Sequence, residues 1–404
     1  MLKPRFTGPA LRTAALALSL GTLSACIVRS PNLESGMRLT EAGRGTAPSM
    51  SPFTESDEAT AQQLERARDV GIVMNDELHW VREHDAAASA EMTAGDYRIA
   101  YVITAAEGYY DSTSAWHEPA AGSAHVAAVV RDAADGREVP GLTVRATITP
   151  TGGTASSMAL PYGWHRALNR YGENVALPTG PFTLRIDVAP PTYWRHDPTN
   201  GDRFTDTVTA EFTNVSVSAS ALVRANAAAS DASLDSARAA RARREGEALE
   251  RPLLEMFSSV AVNGEQTRVG DYLVVVAVER AEGYWMPMGK DVGYNIVESQ
   301  SAAHNAHVEV GVRDANTGRF LPGLDLRATV LRGGREVGTK HEPFMWHPWI
   351  HHYGENWRVP GTGRYAVRVH AAPPPFRRYG RAATFFTAPV DLTVDGLRFV
   401  TGQK

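Results

Sequence analysis

The chain has one cysteine in 404 residues, so it forms no internal disulfide and builds no thiolate metal site. Any metal would have to be held by His, Met, Asp or Glu. Neither charge is in large excess: 41 Lys and Arg against 45 Asp and Glu leave a net charge of -4, and no basic block suggests nucleic acid. No apolar run reaches the ~20 residues of a membrane-spanning helix. Also missing are a nucleophile elbow, a phosphate-cradling glycine loop, paired catalytic carboxylates and a zinc-protease helix motif. No enzyme is expected, although oxidation chemistry at a copper site stays open.

The N-terminus carries Lys3, Arg5 and Arg12 before the short apolar run "TAALALSLGTLSAC". That pattern is a secretory signal, too short and wrongly flanked to span a bilayer. Its end, Leu23-Ser24-Ala25-Cys26, resembles the bacterial lipobox, in which the cysteine is lipidated and becomes the mature N-terminus. Acyl chains on Cys26 would hold the protein to a membrane, each buried methylene contributing about 0.8 kcal/mol. Ile27, not Asp, follows the cysteine, which in lipoproteins of that kind favours the periplasmic face of the outer membrane. The bland alternative is an incidental cysteine beside an ordinary cleavage site.

Residues 26–52, rich in Ser, Gly, Pro and Thr, read as a flexible tether after a signal over 1–25. The rest of the chain is duplicated. "GDYRIAYVITAAEGYY" from Gly95 returns as "GDYLVVVAVERAEGYW" from Gly270, and "AHVAAVVRDAADGREVPGL" from Ala124 returns as "AHVEVGVRDANTGRFLPGL" from Ala306. "RYGENVALP" from Arg170 returns as "HYGENWRVP" from His352. Position 97 matches 272 while 125 matches 307, so copy two carries seven more residues between these blocks.

Within each copy the elements are short strands. Tyr272 to Val278 is almost continuously apolar, as in a strand buried on both faces, while "ATITP" and "RYAVRVHAAPP" alternate and turn signals recur between them. The expected fold is all-β: two tandem immunoglobulin-like β-sandwich domains, over 91–222 and 263–404. Each is preceded by an Ala/Arg/Glu-rich helical segment, over 53–90 and 223–262, that packs on its own sandwich. A partner-binding role for these helices is the alternative.

The ligand types are concentrated in copy two. His307 and Glu309 alternate on one strand and so share a face. "FMWHPWIHHYGENW" (Phe344–Trp357) adds Met345, His347, His351 and His352, where copy one has Gly163, His165, Asn169 and Arg170. Thioether with imidazole suits a soft or borderline ion, copper above all, and a carboxylate widens tolerance to oxidised copper or iron. Met286 and Met288 could supply further thioethers near a mouth, or simply pack beside their tryptophan.

With these motifs in order, each copy resembles the periplasmic iron-transport accessory family: small immunoglobulin-like proteins that bind copper and assist iron uptake. That family carries a His-x-Glu strand, a Met seven residues before the His of a His-Tyr-Gly-x-Asn turn, a strand ending in Pro-Pro, and an Arg-His with a last ligand. Here "HVE", Met345, "HYGEN" from His352 and "HAAPP" from His370 follow that order. The resemblance implies a first shell of His307, Glu309, Met345 and His352, a copper or iron ion, an iron permease or other transport partner, and an internal pseudo-dimer of the two copies. The last family histidine is replaced in copy two by Tyr379, whereas copy one keeps it as His196 in "PPTYWRHD".

His196 is then a remnant, a surface residue, or a ligand donated across the domains. His347, shared with copy one as His165, reads as structural, and His351 as a solvated neighbour. The "YGEN" of both copies reads as a turn with a left-handed glycine. Set against the metal reading is a cell-envelope scaffold lipoprotein whose sandwiches no longer bind metal.

Overall fold

The computed structural model of the protein describes residues 53–260, 266–281, 283–287, 294–297 and 304–401. Cys26, Met288 and the sequence assigned to signal and tether lie outside them. Copy one opens with helix α1 (Ala61–His84), whose N-cap Thr60 and Gln63 form a reciprocal capping box. Six strands follow: β1 (Ala88–Ala94), β2 (Tyr97–Ala105), β3 (Tyr109–Tyr110), β4 (Trp116–His117), β5 (Ala124–Asp132) and β6 (Val144–Pro150). Six more complete the copy: β7 (Ser156–Leu160), β8 (Tyr162–Trp164), β9 (Arg170–Val175), β10 (Phe182–Val188), β11 (Trp194–His196) and β12 (Val208–Val215).

Helices α2 (Ala219–Ala229) and α3 (Ala232–Val260) lead into copy two. Its strands begin β13 (Thr267–Val269), β14 (Tyr272–Glu279), β15 (Tyr284–Pro287), β16 (Tyr294–Val297), β17 (Ala306–Asp314) and β18 (Leu326–Arg332). They end β19 (Arg335–Glu342), β20 (Phe344–Trp346), β21 (His352–Trp357), β22 (Gly363–Ala371), β23 (Arg377–Tyr379) and β24 (Val390–Phe399). The fold is all-β, with two β-rich domains built on one plan.

Each domain faces a four-stranded sheet with an eight-stranded one. The four-stranded sheets run β12-β10-β6-β7 and β19-β18-β22-β24. Strand β10 alternates between buried and more open positions, because one face of its sheet meets solvent. Strands β2, β5 and β17 are buried along their whole length, since their sheets are covered on both faces. Their buried positions are apolar on the sandwich side and include polar groups on the other, as His307 and Glu309 in β17.

The eight-stranded sheets are shared between the copies. Their orders are β1-β2-β5-β9-β8-β23-β3-β4 and β13-β14-β17-β21-β20-β11-β15-β16. Strand β11 of copy one therefore sits inside the sheet of copy two, parallel to β20 and antiparallel to β15. Strand β23 of copy two sits in the sheet of copy one, parallel to β8 and antiparallel to β3. Two arginines repeat the reciprocity: Arg137 donates to the carbonyls of His347 and Pro348, both at 3.0 Å, and Arg319 donates to the His165 carbonyl at 2.8 Å.

The helices depart from expectation. Leu64, Ala67, Val70 and Met74 of α1 join Leu249, Leu253 and Phe257 of α3 over Val275 and Ala277 of copy two. Leu78, Trp80 and Val81 of the same α1 pack on Ala100, Val102 and Val129 of copy one. A 24-residue helix is about 36 Å long, enough to lie across both domains. Among the described residues, no helix is long and apolar enough to cross a membrane.

Each long helix uses a glycine to reach a turn. A Cβ at Gly71 would lie 1.8 Å from the Asp135 carbonyl oxygen, and one at Gly246 1.8 Å from that of Thr317. Alanine normally stabilises a helix relative to glycine by roughly 1 kcal/mol. Gly246→Ala is nevertheless expected to destabilise the protein by about 1–3 kcal/mol, because the helix must move off the turn. Chemical denaturation measures this; a gain in stability would show that the close approach is not needed.

Candidate metal centre

Alternation on β17 turns Val308 and Val310 towards the sandwich core and His307 and Glu309 the other way, and both of the latter are wholly buried. In the β17–β21 pair, His307 stands opposite Asn356 and Glu309 opposite Gly354. His352, two residues before Gly354, faces the same side. Met345 on β20 is directly opposite His352, and Trp194 on β11 is opposite Met345. His196, two residues beyond Trp194, completes a patch of five side chains on one sheet face. Four come from copy two and one from copy one.

The convergence is close. Ligand nitrogens of His196, His307 and His352 all lie within 4.8 Å of one another, and all three rings are buried. The centroid of His196 is 5.0 Å from that of His307 and 4.9 Å from that of His352. His307 donates from Nδ1 to Asn356 Oδ1 at 3.0 Å, so its neutral ring keeps a lone pair on Nε2. His352 Nδ1 faces the Ile350 carbonyl at 3.4 Å, and its Nε2 lies 3.6 Å from Glu309 Oε1. Backbone and amide contacts of this kind fix ring orientation in metal sites.

Gly354 explains why "YGEN" recurs. It lies inside strand β21 and has no positive φ, so the expected left-handed turn is not there. A Cβ on Gly354 would come 2.7 Å from His307 Nε2, and one on Gly172 would come 2.3 Å from His125 Nε2. Glycine is needed because an imidazole lies against the backbone. The neighbouring Tyr353 hydroxyl accepts from Leu324 N–H and donates to the Leu321 carbonyl, and Tyr171 does the same for Leu142 and Val139.

The other sequence candidates fall around this patch. His347 accepts the Trp349 N–H on Nδ1 at 3.3 Å, which leaves the ring proton on Nε2 and makes it a donor towards the centre. His351 accepts the His347 N–H and packs against Phe344, with burial and then Arg137 holding its pKa well below the usual histidine value. It is partly exposed, and it does not join the three-histidine cluster. Met286 is on β15 two residues beyond Tyr284, which pairs with His196, so it shares the site face one step outwards. A second convergent group, Glu58 with His196 and His347, has its ligand atoms within 4.8 Å of one another. Glu58 precedes α1 and carries no motif, so the sequence did not single it out.

Copy one shows what happens when the set is lost. The Tyr379 ring of β23 takes the place corresponding to His196, 4.9 Å from the ring of His125. Its hydroxyl donates to the Gly172 carbonyl at 3.1 Å. A Cβ at Gly163, where copy two has Met345, would lie 2.2 Å from that ring. Arg170 stands for His352 and pairs with Glu107 at 2.6 Å, while His165 Nε2 lies 3.2 Å from the same carboxylate. Burial opposes ionisation of Glu107, but Arg170 and His165 hold its pKa well below the carboxylate range. Burial and then Arg170 push His125 down to about 3, so it stays neutral. Ring and guanidinium occupy the positions that His196 and His352 hold in copy two.

No family model matches the sequence, and no curated protein matches it. Among solved structures, the as-isolated FetP of uropathogenic Escherichia coli is 18% identical, with a TM-score of 0.27 over 35% of this chain and 95% of that one. A copper-bound variant of FetP is 18% identical, with a TM-score of 0.26 over 34% and 96%. Copper-reconstituted P19 from Campylobacter jejuni is 13% identical, with a TM-score of 0.26 over 36% and 98%.

Proposed function

We propose that the protein is an extracytoplasmic copper-binding protein with one centre, in copy two, held by His196, His307, Met345 and His352 with Glu309 beside them. The observation that carries this is the burial of three histidines whose ligand nitrogens lie within 4.8 Å of one another, one of them supplied by the other copy. Imidazole and thioether donors suit copper in its lower oxidation state, and Glu309 adds an oxygen for the higher one. The protein would bind and pass on the ion with no covalent step. Support of iron uptake through a permease, and a lipid anchor on Cys26, belong to the same reading by way of the sequence resemblance. Copy one is the scaffold half, and the metal-free alternative describes it well.

The test is copper titration of the full chain beside a Met345→Ala/His352→Ala variant. Wild type should take up one equivalent of copper and the variant should lose at least about 100-fold in affinity. Equal uptake by both proteins would remove the centre.

A further inference from the structure

Residues 53–60 form a strap over the centre, and it is latched to the loop that carries His196. Phe53 meets Trp346 edge-on at 5.6 Å. The Thr54 N–H donates to Asn200 Oδ1 at 2.9 Å, and Asn200 Nδ2 returns a bond to the Thr54 carbonyl at 2.8 Å. Ser56 donates to Asp197 Oδ2 at 2.7 Å, and Asp197 is the residue after His196. Trp349 then fixes both sides of one contact. Its indole N–H donates to the Glu58 carbonyl at 3.0 Å, and its backbone N–H donates to His347 Nδ1 at 3.3 Å.

That arrangement sets the chemistry of Glu58. With Nδ1 of His347 engaged by the Trp349 N–H, the neutral ring carries its proton on Nε2, and a ring nitrogen lies within 4.8 Å of a Glu58 carboxylate oxygen. His165 in copy one does the same towards Glu107, with Nδ1 accepting from Ala167 and Nε2 3.2 Å from the carboxylate. In copy two the carboxylate comes from the strap, and it also lies within 4.8 Å of the His196 ligand nitrogen. A carboxylate has two oxygens, so one can rest on His347 while the other faces an ion at His196.

We infer that Glu58 is an oxygen ligand of the centre, positioned by His347 and delivered by the strap, and that it serves the harder, oxidised ion. This rests on the copper reading above. Glu309 and Glu58 then bring carboxylates from the sheet and from the strap, and the ion leaves only when the strap lifts. Copper(II), which favours oxygen and nitrogen donors, should depend on Glu58, whereas copper(I), held by thioether and imidazole, should not.

The experiment uses the full chain, its Glu58→Gln variant, a Ser56→Ala latch variant, and His196→Ala as the control for the centre itself. Copper(I) and copper(II) affinities are measured by competition with chelators, and copper(II) by electron paramagnetic resonance. Glu58→Gln should lower copper(II) affinity about tenfold or more and change the resonance spectrum, with copper(I) affinity unchanged. Ser56→Ala, which keeps the Glu58 carboxylate but removes the Asp197 latch and the hydroxyl that accepts the Glu58 N–H, should speed transfer of copper(II) to a chelator. If Glu58→Gln keeps the wild-type spectrum and affinity while His196→Ala loses copper, Glu58 is not a ligand and the centre stands without it. If wild type binds no copper, both readings fall together.

Discussion

Replacing His196 by alanine should abolish tight copper binding in copy two, although His196 belongs to copy one. The side chain is wholly buried, and its ring lies about equally far from those of His307 and His352. Its backbone is fixed by the exchanged strand β11, whose Arg195 pairs with Trp285 and Trp346. Removing the imidazole takes one of three converging nitrogens and leaves a cavity that neighbouring strands cannot close. The expected loss of copper affinity is more than about 100-fold, larger than typical effects of outer contacts on metal sites. Stability should fall by about 1–3 kcal/mol. His196→Tyr/Met345→Gly is the sharper form, since it gives copy two the tyrosine and the glycine that fill copy one. That variant should fold and take up no copper. Copper binding by either variant at wild-type affinity would return His196 to the status of a remnant.

The second large effect concerns stability. Arg319→Met should destabilise the protein by about 3–5 kcal/mol, with a deficit that grows from pH 5 to pH 8. Arg319 is wholly buried, and its guanidinium donates to the His165 carbonyl, lies 5.0 Å from the Trp164 ring centroid and is 3.9 Å from Glu245. Burial, followed for Glu77 by the neighbouring Glu245, raises the pKa of both carboxyls, and Arg319, joined at Glu77 by Arg241, opposes this. A carboxyl whose folded pKa is raised contributes stability that is present below its unfolded value and lost as pH rises through the folded one. Removing Arg319 raises the folded values further, so more is lost at neutral pH than in acid. Denaturation at pH 5 and pH 8 measures this, and an equal deficit at both would disprove the coupling.

Much of the fold was legible because it follows from local pattern. The duplication, the buried strands β14 and β17 and the alternating β22 are written in residue order. The strand exchange was not, because β11 and β23 are three residues each and carry no periodicity. Only the alignment of His196 with Tyr379 hinted that these positions trade places. Met345 and His352 were legible as a pair peculiar to copy two, and β20 and β21 set them opposite one another. Gly354 was misread because a sequence shows a glycine without showing whether backbone angle or close approach requires it. Glu58 was invisible: its importance comes from where the strap lies, and nothing in "FTESDEAT" encodes that.

X-ray absorption at the copper edge of the copper(I)-loaded protein tests the central claim most directly. The expected spectrum has imidazole scattering from His196, His307 and His352 and one sulfur from Met345, with the imidazole count falling by one in His196→Ala. A wild-type spectrum without sulfur, or an imidazole count unchanged by His196→Ala, would contradict a centre assembled across the two copies.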